Sequence, residues 1–338
     1  MDPDEEIEID FYPFLVVYKS GRVQRFGSTS RKSAGTDAAT GVTSKDVLID
    51  AATGLAARLF LPKAVSGSQK LPVVVYAHGG GFVTESAFSA RYTGYVNALV
   101  AAAGVVAVSV EYRLAPEHPI PAAYDDVLAA LRWAAASCVP GGPEPWLAEH
   151  GDSTRLFVAG SSSGGNVAHN VVMRAGTGGG ARVEVEGMVL LHPLFMGTAP
   201  LPSEGTDPTI PARSESIWRC LCAGKYGIDH PFSNPLAMPP EAWAALGCRR
   251  VLVTTAELDR ARDRGRTYVE ALRGASAWGG EEAALYETEG EEHLYYLLKR
   301  GARARSVAAE RAANEMAAVA SFINRGKCAS DCNIRSTL

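Results

Sequence analysis

The sequence predicts an α/β protein with a mostly parallel central sheet and helices on both faces of that sheet. Short, continuous apolar runs alternate with longer segments in which apolar residues recur every three or four positions. Runs of the first kind are typical of strands that are buried on both faces. The chain has 338 residues, 47% of them hydrophobic, which is enough for one large core.

Seven runs are predicted as strands because they are short, apolar and mostly without polar alternation. They are Ala57 to Phe60, Val73 to Ala77, Val105 to Val110, Leu156 to Ala159, Met188 to Leu191, Val251 to Thr255 and Ala284 to Tyr286. Five segments have helical apolar spacing. They are Tyr92 to Ala103, Ala122 to Ala136, Asn166 to Arg174, Arg266 to Arg273 and Ser306 to Ile323. This alternation favours a doubly wound sheet.

Two segments do not fit the alternation. The first is the N-terminal 45 residues, which contain the aromatic and apolar run Phe11 to Tyr18. The second is Phe195 to Leu246, rich in Pro, Trp and Cys and inserted between two predicted strands. Insertions at the carboxyl ends of such strands usually cover the ligand crevice. We therefore expect a single domain over residues 1–338, with cap elements from about 1–45 and 195–246.

Composition and charge exclude several classes of protein. There are 33 Lys and Arg residues against 37 Asp and Glu residues, with no basic run, so no nucleic-acid partner is expected. No segment approaches the roughly 18 apolar residues of a membrane span, so no membrane partner is expected. The acidic N-terminus, Met1 to Glu6, is unlike a signal or transit peptide, which predicts a cytoplasmic protein. Nothing in the sequence marks an oligomer interface.

The six cysteines predict neither a disulfide framework nor a metal site. Their spacing is irregular in a large chain, which favours free thiols. The pairs Cys220–Cys222 and Cys328–Cys332 could each supply half of a zinc site, but no second pair or nearby histidine completes either one. We expect no metal and no cofactor.

Gly160-Ser161-Ser162-Ser163-Gly164 follows one predicted strand and opens a predicted helix. A G-x-S-x-G match in that context is typical of a nucleophile elbow, a sharp turn that exposes the central side chain. The two glycines leave room for the backbone to pass closely. Ser162 is therefore the candidate nucleophile, and a Ser/Gly-rich loop without chemistry is the alternative.

His78-Gly79-Gly80-Gly81-Phe82 directly follows the strand Val73 to Ala77. Backbone N–H groups in a fixed concave loop stabilise the negative charge that develops on a carbonyl oxygen during acyl transfer. We expect the oxyanion hole to consist of N–H groups from Gly79, Gly80 and Gly81, completed by the N–H of Ser163. Phe82 is the expected substrate contact in this loop.

The base and the acid follow from chain order, because this arrangement places the nucleophile first, then the acid, then the histidine. His293, in the acidic loop after Ala284 to Tyr286, is the candidate base. His192 is the second candidate, although His-Pro at the end of a strand is more typical of a structural turn. Asp259, just past the strand Val251 to Thr255, is preferred as the acid over two neighbours that stay possible, Asp263 and Glu257.

Together these motifs resemble the hormone-sensitive-lipase-like branch of the α/β hydrolases. The resemblance rests on His78 to Phe82, Tyr112 to Pro119, Tyr124 to Asp126, the elbow, and Asp259 with His293. The N-terminal segment from Phe11-Tyr12-Pro13 to Val23 is similar to that of the plant carboxylesterases, whose relatives include gibberellin receptors and hydroxyisoflavanone dehydratases. The elbow differs from that branch by carrying Ser161 and Ser163 where Asp and Ala are common.

The resemblance implies an α/β-hydrolase core with a helical cap, and a structural role for Arg113, Glu117 and Asp126 near the oxyanion loop. It also implies a serine carboxylesterase that acts on small-molecule carboxylic esters, with short to medium acyl chains or from plant secondary metabolites and hormones. Two alternatives stay open. One is a small-molecule receptor of the gibberellin type, which the presence of His293 counts against, and the other is a dehydratase of a hydroxylated flavonoid.

Overall fold

The computed structural model describes residue 3 and residues 5–26, 30–63, 70–177, 182–297 and 302–325. A small sheet comes first in the chain and consists of β1 (Ile7–Phe11), β2 (Leu15–Tyr18) and β3 (Val23–Arg25). The strands of the main sheet are β4 (Thr43–Asp50), β5 (Leu55–Leu61), β6 (Leu71–Ala77), β7 (Val106–Glu111), β8 (Gly151–Ser161), β9 (Val185–Leu191), β10 (Cys248–Ala256) and β11 (Glu282–Thr288).

The main sheet has eight strands in the order β11-β10-β9-β8-β6-β7-β5-β4. The six strands from β11 to β7 are parallel to one another, and β5 and β4 form an antiparallel edge. All seven predicted strands are present, which confirms the predicted fold class. The edge strand β4 was missed because its first four residues, Thr43 to Asp46, are polar and most of the strand is partly exposed, unlike the continuous apolar runs of the central strands.

Helices pack on both faces of the main sheet. The α-helices of the described residues are α1 (Ala90–Ala103), α2 (Ala122–Ser137), α3 (Pro145–His150), α4 (Ser163–Thr177), α5 (Ile210–Leu221), α6 (Arg262–Gly274) and α7 (Ala302–Asn324), of which α5 contacts β1 of the small sheet instead. One face carries α2, α4 and α6, while α1 and α7 pack together on the other. Alternate residues of β6 serve the two faces, since Val73 and Val75 join the first core and Val74 and Tyr76 join the second.

The N-terminal segment forms β1, β2 and β3, which corrects the expected helical contribution to the cap. Pro13 interrupts the run Phe11 to Tyr18, and the amide of Phe14 donates to the carbonyl of Phe11 at 2.9 Å, so the run folds back as two antiparallel strands. The expected boundary near residue 45 also needs correction, because Thr43 already lies in β4 of the main sheet.

The segment Phe195 to Leu246 contains one α-helix, α5, and three short 3₁₀ turns. It lies beside the N-terminal sheet, where Nη2 of Arg213 donates to the carbonyl oxygen of Tyr12 at 3.0 Å. Within the described ranges, no helix combines the length and apolar composition that crossing a bilayer requires.

The start of α4 gives a prediction about stability. A Cβ at Gly164 would lie 2.1 Å from the carbonyl oxygen of Ala77, whereas one at Gly94, in the middle of α1, would meet nothing within 4 Å. We expect Gly164→Ala to lower the free energy of unfolding by about 3 kcal/mol or more, because rigid backbone must move. The matched Gly94→Ala change should raise it by about 0.5–1 kcal/mol. Urea denaturation of both variants measures the difference, and equal effects would contradict the steric explanation.

Candidate active site

The turn between β8 and α4 holds Ser162 in a strained conformation. Its φ is +54°, in the left-handed region that few residues other than glycine adopt. The Ser162 amide donates to the carbonyl of Leu191 at 2.8 Å, and its carbonyl accepts from the amide of Leu194 at 2.9 Å. A Cβ at Gly160 would lie 2.0 Å from the carbonyl oxygen of Gly164, so the turn requires glycine there. The Ser162 hydroxyl faces the carboxyl edge of the sheet.

His293 lies in the loop after β11 and bridges Ser162 to Asp259. Its Nε2 is 2.9 Å from Oγ of Ser162, and its Nδ1 is 2.7 Å from Oδ2 of Asp259. The other carboxylate oxygen of Asp259, Oδ1, accepts the amide N–H of Ala261 at 2.8 Å. The structure thus aligns a hydroxyl, an imidazole and a carboxylate in the order that nucleophilic acyl transfer requires.

The carboxylate of Asp259 is buried, with 3% of its surface exposed, yet it stays ionised. Burial raises its pKa, but hydrogen bonds and charge interactions with His192 and His293 outweigh burial and hold the pKa well below its ordinary value. An ionised Asp259 favours the Nδ1–H tautomer of His293, which leaves Nε2 free to accept a proton from Ser162.

The two other acid candidates lie away from His293. The carboxylate of Asp263 accepts the amide N–H of Ser203 at 2.8 Å and pairs with Arg262 at 2.7 Å. Glu257 accepts the amide N–H of Gly290 at 2.7 Å. Of the three predicted acids, the structure brings Asp259 into contact with the histidine.

The glycine loop after β6 borders the serine. A Cβ at Gly79 would lie 3.3 Å from the Cβ of Ser162. Gly80 and Gly81 have φ values of +111° and +64°, which aim successive peptide groups in directions that other residues rarely allow. Within the described part of the chain, the amides of Gly80, Gly81 and Ser163 donate no hydrogen bond to a protein acceptor. They are available to an oxygen atom beside Ser162.

Two aromatic rings stiffen this loop from below. The buried ring of His78 stacks on Tyr112 with centroids 4.2 Å apart, and its Nδ1 donates to the carbonyl of Gly79 at 2.7 Å. The hydroxyl of Tyr112 donates to the carbonyl of His78 at 2.7 Å. Burial lowers the pKa of His78 to about 4, against a weaker effect of the Gly79 hydrogen bond, so the ring is neutral at neutral pH.

Ion pairs fix the chain on the outer side of the glycine loop. Nη2 of Arg113 is 2.7 Å from Oδ1 of Asp126, and the Arg113 amide donates to Oδ2 of that carboxylate at 2.9 Å. Arg25 of β3 pairs with Glu117 at 2.5 Å and donates to the carbonyl of Val83 at 2.7 Å. These contacts tie the N-terminal sheet to the loop and give Arg113, Glu117 and Asp126 bracing positions.

Phe82 requires a correction. We expected it to contact substrate, but its side chain is 1% exposed, packs edge-on against Tyr124 with centroids 6.4 Å apart, and does not line the cavity beside Ser162. Its φ of +66° turns the side chain into the core, away from the serine. The aromatic residues that line the cavity are Phe11, Tyr12, Phe14 and Phe195.

A cavity of about 500 Å³ opens beside Ser162 and His293. The N-terminal sheet, the segment after β9 and α5 form its walls, which are mostly apolar. Lining residues that the sequence reasoning did not single out are Leu194, Met196, Ile210, Arg213, Ser214, Ile217, Leu221, Leu258, Arg260 and Glu292. Ile210, Ser214, Ile217 and Leu221 recur every three or four positions, so helical periodicity within the insertion was the signal that could have found them.

His192, the second candidate base, does not reach Ser162 in hydrogen-bond contact. It lies on the other side of Asp259, with Nδ1 3.3 Å from Oδ2 of that carboxylate. In the described residues, His192, Asp259 and His293 are the one group with metal-ligand chemistry. The 2.7 Å contact between His293 and Asp259 is a hydrogen-bond distance, and two ligands at about 2.0–2.2 Å from one ion would stand farther apart.

Four cysteines are free thiols in the structure, namely Cys138, Cys220, Cys222 and Cys248. Cys328 and Cys332 lie outside the described residues. Burial raises the pKa of the Cys138 thiol to about 11, so this residue is protonated and unreactive at neutral pH.

Comparison with known proteins places this site in context. The alpha/beta hydrolase fold family matches residues 74–297 of the chain. Tuliposide A-converting enzyme 2, chloroplastic, of Tulipa gesneriana is 45% identical over 295 residues, which cover 87% of this chain and 74% of the tulip protein. A 2-hydroxyisoflavanone dehydratase of Glycyrrhiza echinata is 41% identical, with 87% of this chain and 91% of that protein covered.

A probable carboxylesterase of Arabidopsis thaliana, carboxylesterase 13, is 39% identical, with 87% of this chain and 93% of that protein covered. Among solved structures, an esterase of Pyrobaculum calidifontis superposes with a TM-score of 0.64 at 27% identity, over 83% of this chain and 84% of the esterase. The range matched by the family, residues 74–297, includes Ser162, Asp259 and His293.

Proposed function

The chain belongs to the α/β-hydrolase fold family, among the plant carboxylesterases, and is a carboxylic ester hydrolase; from this premise we propose that it is a serine esterase working through an acyl-enzyme. The observation that carries the proposal is the hydrogen-bonded series from Oγ of Ser162 through His293 to Asp259, at 2.9 and 2.7 Å. A strained turn that holds the serine at the wall of the cavity supports it.

In the first half-reaction, Oγ of Ser162 attacks the carbonyl carbon of the ester while Nε2 of His293 accepts the hydroxyl proton. Asp259 stabilises the imidazolium that forms. The carbonyl oxygen becomes an oxyanion, and the unpaired amides of Gly80, Gly81 and Ser163 stabilise its charge. The amide of Gly79, also expected in this role, faces the hydroxyl of Tyr92 instead. The tetrahedral intermediate collapses when His293 returns the proton to the leaving alkoxide, which leaves as an alcohol.

The second half-reaction releases the acid. Water enters the position that the alcohol has left, and His293 removes one of its protons as it attacks the acyl-enzyme carbonyl. The same amides stabilise the second oxyanion. Collapse breaks the bond to Oγ, and the proton on His293 returns to Ser162. The products are a carboxylic acid and an alcohol, with water as the only co-reactant.

The cavity supports small-molecule esters with short to medium acyl chains, or esters of plant secondary metabolites and hormones, as substrates. Its volume of about 500 Å³ is in the range of small-molecule pockets, and its walls are mostly apolar side chains. Arg213 and Arg260 add hydrogen-bond donors at the rim. Neither makes an ion pair with another described residue.

Two other functions stay as hypotheses. A dehydratase would use His293 as a base that removes a proton from a hydroxylated flavonoid, and the 41% identity to a protein named 2-hydroxyisoflavanone dehydratase favours this candidate. Product mass separates the two reactions, because hydrolysis adds water and dehydration removes it. A receptor would bind its ligand without turnover and recruit a partner, which a ligand-dependent pull-down tests.

The cytoplasmic location stays a prediction. The tulip relative is named as chloroplastic, and that compartment is a property of that protein. Imaging the full chain with a fluorescent protein at its C-terminus, which leaves the N-terminus free, would locate it.

The nucleophile assignment predicts that a fluorophosphonate probe labels wild-type protein once, at Ser162. Ser162→Ala should abolish both labelling and hydrolysis of p-nitrophenyl acetate and butyrate, because among the described residues no other hydroxyl is hydrogen-bonded to His293. His293→Ala still contains Ser162 but should lose turnover, because the base that accepts the Ser162 proton is absent. Intact mass spectrometry and burst-phase kinetics provide the readouts. A folded Ser162→Ala protein that still hydrolyses both esters would show that Ser162 is not the nucleophile.

The acid assignment predicts a large difference between neighbouring carboxylates. Asp259→Asn should lower kcat/KM by about three to four orders of magnitude, because the amide no longer favours the correct tautomer of His293. Asp263→Asn should stay within about fivefold of wild type, since Asp263 bonds to Ser203 and Arg262 instead. Comparable losses in the two variants would contradict the assignment.

The cavity wall predicts chain-length selectivity. Ile217→Trp should fill part of the cavity and lower kcat/KM for p-nitrophenyl octanoate by tenfold or more, while activity on the acetate stays within about threefold. Glu215→Trp is the matched control, because the same residue type then enters the exposed side of α5. Equal selectivity in the two variants would show that α5 does not bound the acyl chain.

A further inference from the structure

Asp259 contacts a second histidine that the triad does not use. His192, at the end of β9, is fully buried, and its Nδ1 lies 3.3 Å from the Oδ2 atom that also faces His293. The two imidazole rings have centroids 5.8 Å apart. A histidine in this place needs an explanation, because a Ser–His–Asp series is complete without it.

A second buried carboxylate faces the opposite side of the His192 ring. Oε1 of Glu315, in α7, is 3.4 Å from Nε2 of His192, and Glu315 is 3% exposed. Three hydroxyls donate to Glu315, namely Thr254 to Oε1 at 2.7 Å, and Tyr295 at 2.9 Å and Thr288 at 3.3 Å to Oε2. Among the described side chains, no lysine or arginine pairs with this carboxylate.

The charge balance of this cluster favours an imidazolium at His192. A neutral ring would leave two buried negative charges, on Asp259 and Glu315, without a cation between them. Burial lowers the pKa of His192, but hydrogen bonds and charge interactions with the two carboxylates outweigh burial and raise the pKa to about 9. The amide N–H of Leu294 points at Nδ1 of His192 from 3.3 Å, and this contact opposes a proton on Nδ1. The dipole of one amide is weaker than the attraction of the two carboxylate charges.

We infer that Glu315 and His192 are positioning residues of this site, in which Glu315 keeps His192 protonated and the His192 cation fixes the rear of the Asp259 carboxylate. The inference rests on the proposed serine esterase for its effect on rate. Its structural part, the charge on His192, does not depend on turnover.

The His192 cation also sets the electrostatic effect of Asp259 on His293. A positive charge behind Asp259 reduces how strongly that carboxylate stabilises the His293 imidazolium, so His293 stays a neutral base at lower pH. Other titratable groups that face the cluster are Tyr295 and Tyr296 after β11 and Tyr95 of α1, all phenols whose pKa burial raises, so they stay neutral. Arg311 of α7 pairs with Glu291 at 3.0 Å.

The decisive variant is Glu315→Gln, which keeps the size of Glu315 and one accepting oxygen but removes its charge. The hydroxyls that face the new amide nitrogen, from the set Thr254, Tyr295 and Thr288, must then accept from it instead of donating. His192 should then lose its proton near neutral pH, and the positive charge behind Asp259 disappears. We expect the acid limb of the kcat/KM profile for p-nitrophenyl acetate to move up by roughly half a pH unit to one unit. An unchanged acid limb in a folded, active variant, or a shift to lower pH, would overturn the inference.

Tyr295→Phe is the matched control. It removes one hydrogen bond to Glu315 and leaves every charge of the cluster in place. We expect its acid limb to coincide with that of wild type, even if its rate falls. If both variants move the acid limb equally, Glu315 acts through packing and the inference fails.

A direct measurement on wild-type protein covers the case in which Glu315→Gln does not fold. In ¹⁵N-histidine-labelled protein at pH 7.5, both ring nitrogens of His192 should carry protons, with the resonances assigned through His192→Gln. A ring with one unprotonated nitrogen at that pH would overturn the inference. This readout needs no substrate, so it tests the charge on His192 independently of the esterase proposal. The esterase proposal fails separately, if the fluorophosphonate probe does not label wild-type protein.

Discussion

The reacting groups depend on one close backbone contact, between Gly160 at the end of β8 and the carbonyl of Gly164 in the first turn of α4. That contact leaves space for no side chain, and it forces Ser162 into the left-handed conformation that points its hydroxyl out of the sheet. Because β8 lies between β6 and β9, the loops after the neighbouring parallel strands converge on the same edge. The glycine loop follows β6, and His192, Asp259 and His293 follow β9, β10 and β11.

Much of this arrangement was predictable because topology and local chemistry agree. Continuous apolar runs identified the buried strands, and the order of nucleophile, acid and base pointed to Asp259 and His293. The structure brings His293 into contact with both Asp259 and Ser162. The errors have local causes. Phe82 directly follows the three glycines, which suggested a substrate contact. Its φ is +66° and its side chain is buried in the core, and the sequence gives no sign of this backbone conformation. The small N-terminal sheet was missed because Pro13 splits what reads as one apolar run.

The pairing of His192 with Glu315 lay beyond sequence reasoning for a different reason. His192-Pro193 has the pattern of a turn. The helical periodicity around Glu315 predicts a helix there, but it does not indicate which residue the carboxylate contacts. Their contact exists because α7 packs on the sheet face that α1 shares, which brings a carboxylate under the carboxyl end of β9. Buried charges of this kind depend on tertiary packing, and no local pattern in the chain marks them. The one local signal is the position of His192 at the carboxyl end of β9, next to the strand that carries Ser162.

The chemistry and the substrate preference of this protein are set by different parts of the fold. The groups that we propose for the reaction lie at the ends of strands that share many backbone hydrogen bonds, so their relative positions are fixed by the sheet. The cavity walls come from the N-terminal sheet and from α5, which meet through the contact of Arg213 with Tyr12, and Arg25 joins the N-terminal sheet to the loop region beside the glycines. Substitutions in these walls change the shape of the cavity without moving Ser162, His293 or Asp259. A chain built this way can take a new ester by changing its wall residues, while a change at the elbow or at the Asp259 cluster affects every ester alike.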